Sequence, residues 1–235
     1  MYNFIKAEKK DHIGVLTLAR SAKRNAFTPG MINEIAHALN QFNADKDIRV
    51  LLLQAEGPVF SAGMDLKTFR DPSLDTPNPS IIHTDVSLGE VMDSFKKPIV
   101  AKVEGDVIAG AFLFVLGCTY VYASPQVRFR LPELELGIFP FQVMAGLLRV
   151  MPEKKVLQLC LNTEYFNVEE AIRYGIVDGI LETDQLSDLL NSFSDKQEAA
   201  LKAGIDALKQ LSTVKREEQF AFLKDQLERL RDGKA

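Results

Sequence analysis

Residues 97–140 read KPIVAKVEGDVIAGAFLFVLGCTYVYASPQVRFRLPELELGIFP. Ile99–Val103 is a short apolar run between Lys97-Pro98 and Glu104-Gly105, which predicts a strand running into a glycine-containing turn. The small residues Ala109, Gly110 and Ala111 then open a helix, and Tyr120–Ala123 reads as a second strand. A loop follows that presents Glu133 directly after Pro132. A helix that starts at a glycine turns unpaired N–H groups and a positive dipole end toward whatever lies in front of it. Such a seat suits an anion or a developing oxyanion. A carboxylate delivered to the same place can move protons, so the stretch predicts a site where strand ends meet a helix start.

Residues 4–5 and 12–18 read as a hairpin with Glu8, Lys9, Lys10 and Asp11 as its turn. Thr28-Pro29 opens a helix, a capping hydroxyl followed by proline at the first helical position. Met31, Ile32, Ile35, Leu39 and Phe42 mark its buried face. Val50–Ala55 is continuously apolar, as expected of a strand covered on both faces. The run FSAGMDLK at 60–67 is a second small-residue turn that opens a helix. Residues 71–80, with prolines at 72, 77 and 79, predict a mobile loop over a site, and 81–95 a helix. Beyond Pro140 the spacing predicts helices at 143–150, 152–161 and 168–174, the last capped by Asn167 and ended by Gly175. Residues 176–181 read as a short strand, and the chain from 184 onward as charged helices. Phe220, Leu223, Leu227 and Leu230 form one stripe there, expected to lie on the protein's own core, with a subunit contact as the alternative. The alternation of strands and helices defines an α/β class with a helical C-terminal region.

A chain of 235 residues can bury one large α/β core. Its net charge of −4 gives no reason to expect a nucleic-acid partner. Cys118 and Cys160 sit in apolar helical contexts and read as buried thiols, and three histidines (His12, His37, His83) add no metal-ligand spacing. The first residues lack a signal core, and the longest apolar run, 107–118, is too short to span a bilayer. These features predict a soluble, cytoplasmic protein with no membrane span.

Two strand-to-helix turns, at Ala62-Gly63-Met64 and Ala109-Gly110, could each aim a backbone N–H at one carbonyl oxygen. Each such donor is typically worth a few kcal/mol in a transition state. Either turn alone is common in structural roles; the pair, with a downstream carboxylate, is more specific. In combination, KRNAF (23–27), FSAGMDLK and the 97–140 stretch resemble the crotonase family, the enoyl-CoA hydratase/isomerase superfamily, over roughly residues 1–182. The resemblance implies a crotonase-like spiral of ββα units over 1–182 and a helical region over 183–235 for packing or oligomerisation. It also implies a homotrimer or dimer of trimers and an acyl-CoA thioester substrate. Coenzyme A would be part of that substrate, so no separate cofactor and no metal are implied.

By matching position, the oxyanion donors would be the N–H groups of Met64 and Gly110. Lys23, Ala26, Ala62 and Lys67 would lie along the coenzyme A face. Hydratases of the family use two glutamates; here the first position is Leu113 and the second is Glu133. An apolar Leu113 can neither hold a water nor supply a proton, and Phe141 stands where hydratases tend to have glycine. One carboxylate suffices for isomerisation, and the pattern is most similar to the Δ3,Δ2-enoyl-CoA isomerases. Apolar Leu113, Leu131 and Phe139 would raise the pKa of Glu133. Glu135 is a rival second acid, because in an extended chain its side chain would share a side with that of Glu133. The alternatives are another crotonase reaction (hydration, decarboxylation or thioester hydrolysis) and a non-catalytic acyl-CoA-binding member.

Overall fold

A computed structural model describes residues 1–233. Strands β1 (Ile5–Lys10) and β2 (Ile13–Leu18) form an antiparallel hairpin, followed by helix α1 (Pro29–Ala44). The chain then winds through three similar turns. β3 (Val50–Ala55), β4 (Val59–Ser61) and α2 (Leu66–Arg70) make the first. After α3 (Leu88–Ser94), the second consists of β5 (Ile99–Val103), β6 (Asp106–Ile108) and α4 (Ala111–Leu116). The third has β7 (Tyr120–Ala123), β8 (Arg128–Arg130), a 3₁₀ turn at Glu133–Leu136 and α5 (Phe141–Leu147). The core closes with α6 (Glu153–Cys160), β9 (Phe166–Asn167), α7 (Val168–Arg173) and β10 (Gly179–Ile180). The C-terminal region holds α8 (Thr183–Asn191), α9 (Glu198–Leu211) and α10 (Gln219–Arg231).

In each turn the first strand joins one sheet and the second joins another. The six-stranded sheet has the order β1-β2-β3-β5-β7-β10 and the four-stranded sheet the order β4-β6-β8-β9. β3, β5 and β7 run parallel, as do β4, β6 and β8. Whatever follows β4, β6 and β8 is therefore stacked along one edge of the smaller sheet. This is the spiral of ββα units, and it positions the site.

Several local readings have clear physical causes. Thr28 caps α1, its Oγ1 accepting from the Met31 N–H at 3.1 Å, and Pro29 follows at the first helical position. Met31, Ile32, Ile35, Leu39 and Phe42 are all buried. β3 is covered on both faces: Leu51 and Leu53 join the main core, whereas Val50 packs with Val100 of β5 against Leu186 and Leu190 of α8. Asn167 closes a capping box with Glu170 at the start of α7.

Other expectations are corrected. The first hairpin is longer than expected: Glu8, Lys9 and Lys10 belong to β1, and the chain turns at Asp11, whose φ is +52°. Of residues 81–95 only α3 is helical, because Ser87 caps it with Glu90 and fixes its start there. Residues 71–80 do not cover the site. Asp75 Oδ2 accepts from the Gly30 N–H (2.7 Å), Asn78 donates to the Met1 carbonyl (2.9 Å) and Asn3 to that of Thr76 (3.1 Å), so the segment buttresses the entry of α1. The strand read at 176–181 shrinks to β10. α10 packs against α9, yet Phe220 is 86% and Leu227 66% exposed, so its stripe does not lie on the protein's own core. The last two positions of the chain lie outside the described residues. Cys160 is buried and Cys118 half-buried, both as free thiols. Among the described residues, no helix is long and apolar enough to cross a membrane.

Candidate functional site

The edge that follows β4, β6 and β8 opens into a cavity of about 870 Å³. Nine candidate residues read from the sequence line it, Lys23, Ala26, Ala62, Met64, Lys67, Gly110, Leu113, Glu133 and Phe141, whereas the rival acid Glu135 does not. Nearly 120 residues separate the first from the last, and strand pairing brings them together.

The two amide turns are in direct contact. Phe27 makes a parallel bridge with Met64, its N–H donating to the Gly63 carbonyl and its carbonyl accepting from Asp65, both at 2.8 Å. That bridge leaves the Met64 N–H out. In the next turn of the spiral, Ala109 donates to the Arg130 carbonyl at 2.9 Å, while Phe112 and Leu113 donate back to Ala109 and Gly110. None of these bonds uses the Gly110 N–H. Gly63 has a φ of +81°, and a Cβ there would come within 2.8 Å of the Gly110 nitrogen. A Cβ on Gly110 would in turn lie 3.7 Å from the Met64 nitrogen. Glycine is thus required at 63 both for its backbone angle and for the close approach. Ala109 also holds a positive φ, +54°, an uncommon conformation for an L-residue with a side chain.

Glu133 arrives from β8 by way of Leu131 and Pro132, as the first residue of the 3₁₀ turn. It is only 7% exposed, and its Oε2 has no hydrogen-bond partner. Burial pushes its carboxyl above the ordinary carboxylate value. Burial, and then the Glu133 charge, push the thiol of buried Cys160 up to about 11, which keeps it protonated at neutral pH.

The other acids nearby are engaged. Asp65 pairs with Arg20 at 2.9 Å and caps α2 through the Lys67 N–H. Burial alone would raise the Asp65 carboxyl, but the Arg20 hydrogen bond and charge hold it below the usual range. Glu135 is held by Arg130 through both carboxylate oxygens, at 2.7 and 2.8 Å. The expectation that Glu135 would share a side with Glu133 in an extended chain is overturned, because residues 133–136 form a 3₁₀ turn closed by Gly137 at φ +71°. The three histidines bond elsewhere: His12 with the Leu190 carbonyl, His37 with Tyr2 and His83 with the Asn78 carbonyl.

Sequence reasoning missed part of the wall. Arg24, Arg130 and Tyr165 also line the cavity, and the Arg130 guanidinium lies 5.1 Å from the Tyr165 ring. Arg24 and Arg130, with Lys23 and Lys67, give a rim rich in cations. Arg24 stood in the quoted KRNAF run, whereas nothing local announced Tyr165. Leu113 is half-buried on α4, and Phe141 projects at the mouth, 71% exposed, 5.4 Å from the Phe139 ring.

A two-sheet α/β spiral with backbone amides and a buried carboxylate on one stacked edge defines a protein of the crotonase class. The sequence pattern of the enoyl-CoA hydratase/isomerase family matches residues 8–232, and the chain belongs to that family. It is similar to the rat mitochondrial enoyl-CoA hydratase domain-containing protein 3, with 26% identity over 85% of this chain and 66% of that protein. The match to the mouse counterpart spans 59% of that protein's length, so these relatives extend well beyond the matched part. A probable enoyl-CoA hydratase of Bacillus subtilis is 30% identical over 74% of this chain and 68% of its own. The crystal structure of an enoyl-CoA hydratase from Mycobacterium smegmatis superposes with a TM-score of 0.84 over 96% of this chain and 90% of that one, at 19% identity, which shows a shared fold.

Proposed function

We propose that this chain is an enoyl-CoA isomerase that shifts the double bond of a 3-enoyl-CoA to the conjugated 2-enoyl-CoA. The observation that carries the reading is that Glu133 is the one cavity-lining carboxylate with an unpartnered oxygen among the described residues. Asp65, the other acid on the wall, is tied to Arg20. Leu113, which lines the same cavity, offers no proton and no hold on a water. Glu133 would take a proton from C2 of the substrate, the electron pair moving into a dienolate whose oxygen is held by the Met64 and Gly110 N–H groups. The protonated Glu133 would return the same proton at C4, so no water is consumed and no second acid is needed. The raised carboxyl supports this role, since it narrows the gap to the weakly acidic carbon. The cationic rim at Lys23, Arg24 and Lys67, with Ala26 and Ala62 beside it, would receive coenzyme A phosphates and adenine. A homotrimer or dimer of trimers, and a cytoplasmic location in keeping with two free thiols, belong to the same proposal.

The test is conversion of a 3-enoyl-CoA followed at the absorbance of the conjugated thioester, with the wild type active and Glu133→Gln inactive. Equal turnover in the two proteins would end the reading. Hydration is the second reading, favoured by relatives whose names are hydratases. It predicts that a 2-enoyl-CoA is consumed to a 3-hydroxyacyl-CoA, with Leu113 bypassed by a group outside the described wall.

A further inference from the structure

A second cavity, of about 520 Å³, adjoins the first. Leu113 and Gln142 belong to the walls of both. Its apolar lining comes from Gly89 and Met92 of α3, Leu116 of α4, and Ala145 of α5. The glycines at this place serve two purposes. A Cβ on Gly117 would strike Met92 Cβ at 2.8 Å, and one on Gly146 would strike Leu116 Cδ1 at 2.9 Å, so those two let the helices pack closely. Gly89 is different: a Cβ there would meet nothing nearer than Leu113 Cδ2 at 3.7 Å. Gly89 therefore leaves open space beside Leu113, at the junction of the two cavities.

The charged groups of this chamber already have partners, Glu90 through the N–H and hydroxyl of Ser87. Arg149 pairs with Asp93 at 3.2 Å, and the Lys209 ammonium donates to the Phe95 carbonyl at 2.8 Å. What remains for a ligand is the apolar lining, with the exposed Gln142 side chain at its edge. We infer that the substrate's acyl tail runs past Leu113 into this chamber, so that the site selects long acyl chains, with Gly89 keeping the passage open. The inference rests on the acyl-CoA reading above and adds the chain-length class to it. A tail too short to pass Leu113 would leave the half-buried Leu116 in contact with water. Each methylene that enters should tighten binding about 3- to 4-fold.

The experiment is calorimetric titration with saturated butanoyl-, octanoyl- and dodecanoyl-CoA, which bind without turnover. Wild-type affinity is expected to rise by more than about tenfold across the series. Gly89→Val narrows the passage, and Ala145→Phe, at an exposed position on the chamber wall, fills it from the other side. Each variant should flatten the rise and leave butanoyl-CoA affinity within about twofold. Wild-type binding that is independent of length, or a rise that survives in both variants, overturns the inference. Absence of turnover with any 3-enoyl-CoA, alongside length-dependent binding, would remove the isomerase reading alone. Absence of binding by all three thioesters would remove both.

Discussion

Replacing Glu133 with glutamine keeps the side chain's shape and deletes a buried charge that no ion pair holds among the described residues. A buried polar atom without a partner costs about 1–3 kcal/mol, and ionisation adds to that cost, which is why the Glu133 carboxyl titrates above its ordinary value of 4.5. Because the folded-state pKa is raised, the folded state binds this proton more tightly than the unfolded chain does. The associated stability is complete below about pH 4.5, where both states are protonated, and is lost as pH rises through the folded-state pKa. Glutamine cannot ionise and escapes that loss. Its amide still leaves polar atoms buried, so the gain sits at the lower end, about 1 kcal/mol at neutral pH, or roughly 2–4 °C in Tm for a chain of this size. Thermal denaturation of both proteins from about pH 4 to pH 8 should give curves that coincide in acid and diverge upward, with the variant more stable. The same variant should lose turnover by about 10²- to 10⁴-fold, the usual worth of a positioned proton-transfer group. A variant less stable than the wild type at neutral pH, with no dependence of the difference on pH, would mean that Glu133 is a satisfied structural residue. The proton-transfer argument would then fail.

Gly63→Ala should cost at least about 2 kcal/mol, since alanine is disfavoured at φ +81° and its Cβ would press on the Gly110 nitrogen. Urea denaturation reads the loss, and kcat/KM should fall with it as the two amides are pushed apart. Lys97 is 2% exposed and donates to the Phe42 and Asp45 carbonyls at 2.8 and 2.6 Å, closing the C-terminal end of α1. Lys97→Met takes the ammonium donor from the Phe42 carbonyl, leaves the Asp45 carbonyl only the Ile48 N–H at 3.3 Å, and removes a partner of Glu198, so a loss of about 2–4 kcal/mol is expected by chemical denaturation. The double variant Phe220→Asp/Leu227→Asp tests the proposed oligomer through the exposed stripe of α10. Light scattering should show a lower mass than for the wild type, and an unchanged mass would take α10 out of the interface.

What could be read from the sequence divides along a physical line, between elements set by their own residues and elements set by their neighbours. α1 was legible because Thr28, Pro29 and a regular apolar face all act within one stretch, and β3, β5 and β7 because each is a run of apolar residues long enough to stand out. β4, β6 and β8 are three residues each, and β8 is the sequence Arg-Phe-Arg. No window so short carries a period; Val107 and Phe129 become strand residues because they pair with each other. The same distinction applies to the site. The small-residue turns at 62–64 and 109–110 could be seen singly, but their contact follows from the parallel pairing of β4 with β6, and the approach of Glu133 from that of β6 with β8. Glu135 illustrates the reverse: alternation assigned it to Glu133's side, yet a 3₁₀ turn and the guanidinium of Arg130, one strand-end away, carry it elsewhere. The α10 stripe had a clear period and no address, because a helical repeat states which residues share a face and is silent about what that face meets. The proposed proton transfer therefore depends on register. Shifting β6 by one residue against β4 would leave every motif in the sequence intact and separate the Met64 and Gly110 amides, and with them the place where a thioester enolate could be held.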